Sequence, residues 1–128
     1  MMQIGFQNSS FMILREGPIV RKSMSFSLSI IKYCDLLNDK RKFIISNQLL
    51  KSGTSIGANV FEAQYAESRL DFIHKMKVAL KEANETLYWL ILCQKIEDLS
   101  VQQEIVDELN EMMAILSKII ITSKKRLN

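Results

Sequence analysis

The chain carries one histidine, His74, and two cysteines, Cys34 and Cys93. That short stock bounds the chemistry open to it. A Ser–His or Cys–His nucleophile would have to use His74. Neither cysteine stands in the electropositive, exposed setting that makes a reactive thiolate. A di-iron carboxylate centre wants two Glu-x-x-His pairs and two further glutamates. Here His74 follows Asp71 by three residues, and no second histidine exists. Gly53-x-x-x-Gly57 lies in a helical pattern and lacks the Lys-Ser/Thr that follows a phosphate-binding loop. The expectation is a chain that is not an enzyme, with no catalytic residue, no metal site and no cofactor. His74 is expected at a surface or interface. The cysteines are expected to be buried, reduced thiols, which fits a cytoplasmic location.

One constellation does carry polar chemistry. Ser52, Ser55, Asn59 and Glu62 recur at steps of three, four and three beside an apolar stripe. Lys75, Glu82, Glu85 and Trp89 hold a matching face on the next helical segment. Short polar and large amphipathic residues at such positions suit a buried hydrogen-bond network or a subunit interface. The plainer of the two roles, fixing helix register or assembly, is favoured over a ligand site.

The elements that position these residues are helices. One Pro and four Gly in 128 residues leave room for long uninterrupted helices. Pro18 suits the first turn of a helix, and Ile19, Val20, Met24, Ile30, Ile31, Cys34 and Leu37 then recur at helical spacing. Asn38-Asp39 is expected to break it and cap the next. A second helix is predicted from near Lys40 to about Ala66, with Phe43, Ile44, Leu49, Leu50, Ile56, Val60 and Phe61 buried. Gly53 and Gly57 inside it each cost about 1 kcal/mol against alanine, so a close helix neighbour is expected there. Ser68 and Asp71 stand at the spacing of a capping box and open a third helix that runs to about Ile96. Its stripe is Ile73, Met76, Leu80, Ala83, Leu87 and Leu90. Ser100 and Gln103 form a second such pair ahead of Val101, Ile105, Leu109, Met112, Leu116 and Ile119. The last helix is expected to fray near Thr122 or Ser123. Short connections favour antiparallel neighbours. The predicted fold is all-α, an antiparallel up-down-up-down four-helix bundle over residues 18–123, with an N-terminal arm at 1–17 and a basic tail at 124–128.

The net charge is +3. Residues 1–66 carry eight basic and four acidic residues, whereas 67–128 carry nine and ten. The basic clusters are Lys40-Arg41-Lys42 and Lys124-Lys125-Arg126, with Arg21 and Lys22 expected near the second. In the predicted bundle they form two separate basic rims, the candidate contacts for nucleic acid. No apolar run is long enough to span a bilayer, and no signal peptide is recognised, so no membrane partner is expected.

Several motifs together resemble a known family: S-G-T-S-I-G-A-N-V at 52–60, E-A at 62–63, D-F at 71–72 and A-L-K-E-A-N-E-T-L-Y-W-L at 79–90. Lys22-Ser23-x-x-Phe26 and Ile30-Ile31 add to them. The pattern is similar to that of the bacterial four-helix-bundle proteins encoded in intervening sequences of large-subunit ribosomal RNA genes. It covers about residues 19–122. The accessory protein of diversity-generating retroelements, which works with a reverse transcriptase and nucleic acid, resembles them in fold and assembly. The resemblance implies a homo-oligomer, often a ring of five, and supplies no catalytic residues. The function expected is a non-enzymatic oligomeric scaffold that associates with RNA or a nucleoprotein. The alternative is a protein–protein adaptor that touches no nucleic acid.

Overall fold

The computed structural model describes residues 17–127. Residues 1–16, most of the expected arm, lie outside the described residues. Four helices follow: α1 Pro18–Asp39, α2 Phe43–Ala63, α3 Arg69–Gln94 and α4 Gln103–Lys125. No strand occurs among the described residues. Each helix packs on its neighbours in the chain, and α4 returns to α1.

Pro18 opens α1 as expected, after an extended Gly17. Asn38-Asp39 does not break it, because Asp39 is still helical. The stop comes at Lys40-Arg41-Lys42. The Lys42 amide donates to the Leu37 carbonyl and the Arg41 amide to that of Asn38, with Arg41 left-handed at φ 62°. This is a Schellman ending, with an arginine where glycine is usual. α2 therefore starts three residues later than expected, and it ends at Ala63 instead of Ala66.

Ser68 caps α3, its Oγ accepting from the Asp71 amide at 3.1 Å. The carboxylate of Asp71 accepts from the Glu67 amide, so the predicted box closes one residue early. The second expected box does not form. Gln102 occupies the N-cap of α4 without a side-chain bond, and Gln103 turns to Asp107 at 2.9 Å. α4 runs past Ser123, so Lys124 and Lys125 belong to its last turn. There they complement the negative end of the helix dipole.

The core differs from the expected stripes in an informative way. On α1, Met24 and Ile31 are exposed, while Ser23, Phe26 and Tyr33 are buried. On α2, Phe43, Ile44, Leu50 and Phe61 are exposed, and Ser46, Ser52 and Gly53 are inside. Small residues thus hold central positions where the helices meet. A Cβ on Gly53 would lie 2.8 Å from Ile30 Cγ2, and one on Gly57 would lie 3.3 Å from the Ser23 carbonyl oxygen. The expected close approach is present, and α1 is the partner. On α3, Ala79, Thr86 and Cys93 join Ile73, Met76, Ala83 and Leu90 in the core, while Leu80 and Leu87 are only partly buried. On α4, Ile105, Leu109, Met112 and Leu116 are buried, and Ile120 replaces the half-buried Ile119.

Candidate functional site

Ser52 lies buried where α2 faces α3, its hydroxyl 2.9 Å from that of Thr86. The Thr86 hydroxyl also lies 2.8 Å from the Glu82 carbonyl oxygen, and the Ser52 hydroxyl lies 3.4 Å from that of Leu49. The two hydroxyls have one proton each for these three contacts, so one proton bridges Ser52 and Thr86 while the other goes to a backbone carbonyl, and neither hydroxyl is left without a partner. About three turns further along the same seam, Lys75 Nζ is 3.2 Å from Glu62 Oε1. This contact is substantially exposed and adds little to stability.

The other predicted members do not join them. Ser55 Oγ donates to its own helix at the Lys51 carbonyl, 2.6 Å away, and Asn59 Nδ2 donates to the Ser55 carbonyl at 2.8 Å. Short polar side chains commonly turn back in this way. Trp89 Nε1 donates to Glu85 Oε2 at 3.1 Å within α3. The eight candidates form separate contacts, and only Ser52 and the Glu82 backbone share the buried one. Thr86 was missed, although it stands four residues before the predicted core residue Leu90. A threonine hydroxyl can be buried there by bonding the i−4 carbonyl.

A second polar pair was also missed. Near the α1–α2 turn, Ser46 Oγ donates to the Cys34 carbonyl at 3.2 Å, and the Cys34 thiol points to the Ser46 carbonyl at 3.4 Å. Both cysteines are free and buried, as expected. Burial pushes the Cys34 and Cys93 thiols above their ordinary range. Burial, followed by the neighbouring Cys93, pushes the Tyr33 hydroxyl up as well. Although Cys93 is close enough to be felt electrostatically, the buried Tyr33 hydroxyl makes no hydrogen bond of good geometry. His74 is exposed on α3. Among the described residues no three metal-ligating side chains come together.

The basic residues fall into two places. Lys40, Arg41 and Lys42 form the α1–α2 connection. Lys124 and Lys125 end α4, with Arg126 as its C-cap. The fold adds Lys77 of α3 to this second group, where its hydrogen-bonding contact and then its charge hold the exposed Lys124 amine below its usual value. Lys22 is drawn the other way, with Nζ 2.9 Å from Glu111 Oε1 on α4. Arg21 is exposed nearby on α1. Among the described residues, no helix is long and apolar enough to cross a membrane.

Comparison with known proteins agrees with this architecture. No curated protein matches the chain significantly. A crystal structure from Bacteroides thetaiotaomicron, a protein of unknown function from the S23 ribosomal protein family, superposes with a TM-score of 0.76 at 43% identity. The match covers 80% of this chain and 97% of that one. The family profile described as 23S rRNA-intervening sequence protein matches residues 15–122. The chain belongs to the 23S rRNA-intervening sequence protein family.

Proposed function

We propose that the chain is a non-enzymatic, self-assembling scaffold of the cytoplasm, an antiparallel up-down-up-down bundle whose basic ends associate with RNA or a nucleoprotein. The order of cross-helix contacts supports the topology. Ser46, Gly53 and Gly57 of α2 meet Cys34, Ile30 and Ser23 of α1 in reverse order. Ser52 and Glu62 likewise meet Thr86 and Lys75 of α3.

Self-assembly rests on one observation, the apolar face shared by α1 and α2. Met24, Leu28 and Ile31 follow one another at steps of four and three, and all are exposed, Leu28 by 63%. On α2, Leu50 and Phe61 share a helical face with Thr54 and Ala58, and Phe61 lines a shallow groove with Met24. Covering each large apolar side chain stabilises by up to about 1.5–3 kcal/mol. A contiguous patch of this kind marks an interaction surface. α2 buries serines and turns Leu50 and Phe61 outward, an arrangement suited to a helix with a partner on its far side. A ring of five comes from the family resemblance alone. Five chains at +3 would carry about +15, enough to attract a polyanion.

The RNA association is tested by titrating structured RNA and duplex DNA at two salt concentrations, with light scattering to define the species. Replacing Lys124, Lys125 and Arg126 by Ala should weaken RNA binding and flatten its salt dependence, because each phosphate contact releases counterions. An unchanged slope would remove that end from the account.

The adaptor reading has one observation in its favour. Tyr88 is 58% exposed and packs edge-on against Trp89 at 5.0 Å, beside exposed Ile91. Exposed aromatics of this kind anchor protein partners. A partner from the native host that survives nuclease treatment would favour this reading, whereas loss on nuclease would favour RNA.

A further inference from the structure

At the end of the molecule where α1 begins and α4 finishes lies an open groove of about 840 Å³. Its floor is apolar, formed by Ile19, Phe72, Met76, Ile115 and Ile119. Three cations line it as well, Arg69, Lys118 and Arg126, and no carboxylate does. None of the three makes an ion pair among the described residues.

The chain enters the fold at this groove, since Gly17 and Pro18 are part of its lining. Gly17 is extended, with φ −62° and ψ 165°. A residue before proline is held out of the helical region, so α1 cannot wind back through it. The preceding chain therefore leaves the helix at the edge of the groove. That chain reads Phe11-Met12-Ile13-Leu14-Arg15-Glu16. Four large apolar residues stand together, and Glu16 is the single acid of the first seventeen residues. Leu14 is three residues from Gly17, a reach of at most about 10 Å, and Phe11 is six, about 20 Å. The family match begins at residue 15, so this run lies outside the shared region.

We propose that Phe11–Leu14 of the same chain occupies this groove, with Glu16 meeting the cations at its rim. The apolar run matches the apolar floor, and the lone acid matches a lining that holds only positive charge. The short tether gives the run a high effective concentration that a free ligand or a second copy lacks. This docking does not depend on self-assembly, because an isolated chain would dock its arm equally well.

Amide hydrogen exchange on the full 128-residue chain tests it. The amides of residues 11–14 should exchange at least about tenfold more slowly than in the free peptide, unchanged on dilution. Ile13→Asp with Leu14→Asp should abolish that protection and leave the four helices protected and the assembled mass unaltered. Ile119→Asp in the groove should release the arm too, and if that variant fails to fold, the arm variant still decides. Free-peptide exchange rates in the native chain would overturn the proposal. So would protection that disappears on dilution, which would assign the arm to a second copy.

Discussion

A methyl group on Gly53 would meet the branched side chain of Ile30 at 2.8 Å, closer than real Cβ contacts come, and again at 3.0 Å. The α1–α2 packing would have to open. Gly53→Ala should therefore destabilise the fold by about 1–3 kcal/mol, although alanine is the better helix former. Gly57 meets a backbone carbonyl at 3.3 Å, so Gly57→Ala should lie within about 1 kcal/mol of neutral, strain offsetting propensity. Urea denaturation of the two variants checks the contrast, and equal effects would contradict the geometry. These glycines were legible because their helical cost demanded a compensating contact. Ser23, Ser46 and Thr86 were not, because a hydroxyl that bonds a backbone carbonyl looks polar in sequence and behaves as small and buried.

The buried Tyr33, Cys34 and Cys93 give stability a pH dependence. All three are pushed above their ordinary values, 10.0 for the tyrosine and 9.0 for the thiols. Above pH 9 the unfolded thiols ionise while the folded ones keep their protons, so the folded state binds more protons. Stability contributed in this way is present below pH 9 and declines as pH rises. The limit is about 1.4 kcal/mol per pH unit per group. The urea midpoint should hold between pH 7 and 8.5 and fall from pH 9 to 10.5, less steeply in Cys93→Ala. A midpoint that stays flat to pH 10.5 would mean that these groups ionise freely in the folded state.

At the scale of the element, helix ends were read less well than helix bodies. All four helices were visible in the apolar spacing, because that period is set by the core each must bury. The α1 stop was placed at Asn38-Asp39, residues that favour caps. The chain instead closes α1 through backbone bonds from Arg41 and Lys42, which any residue can make if it accepts a left-handed φ. An L-residue pays about 1–2 kcal/mol for that conformation. Arg41→Gly should therefore stabilise the protein by up to about 1 kcal/mol, seen as a raised melting temperature, after glycine's greater freedom in the unfolded chain is counted. Destabilisation would mean that the arginine side chain holds the turn by contacts worth more than the strain. The stripes on α1 and α2 were misplaced for a related reason. Sequence reading puts the largest apolar residues inside, whereas Met24, Leu50 and Phe61 stand outside on helices that approach each other through small residues.

At the scale of the whole molecule, that outward face decides the account. The polar seam of Ser52 and Thr86 is closed on itself and ties α2 to α3. The basic groups lie at the α1–α2 turn and at the end of α4, leaving the α1–α2 face apolar. The sequence motifs identified the family, but motif and periodicity alone could not show which apolar residues remain uncovered. The most direct measurement is sedimentation velocity of the native chain and of Leu28→Glu over a hundredfold dilution. The native chain should sediment as a closed oligomer. Leu28→Glu should shift it to the 14.8 kDa monomer with unchanged helicity, because Leu28 makes little use of its own core. A native chain that is monomeric at every concentration, or an oligomer indifferent to Leu28→Glu, would contradict the assembly through this face.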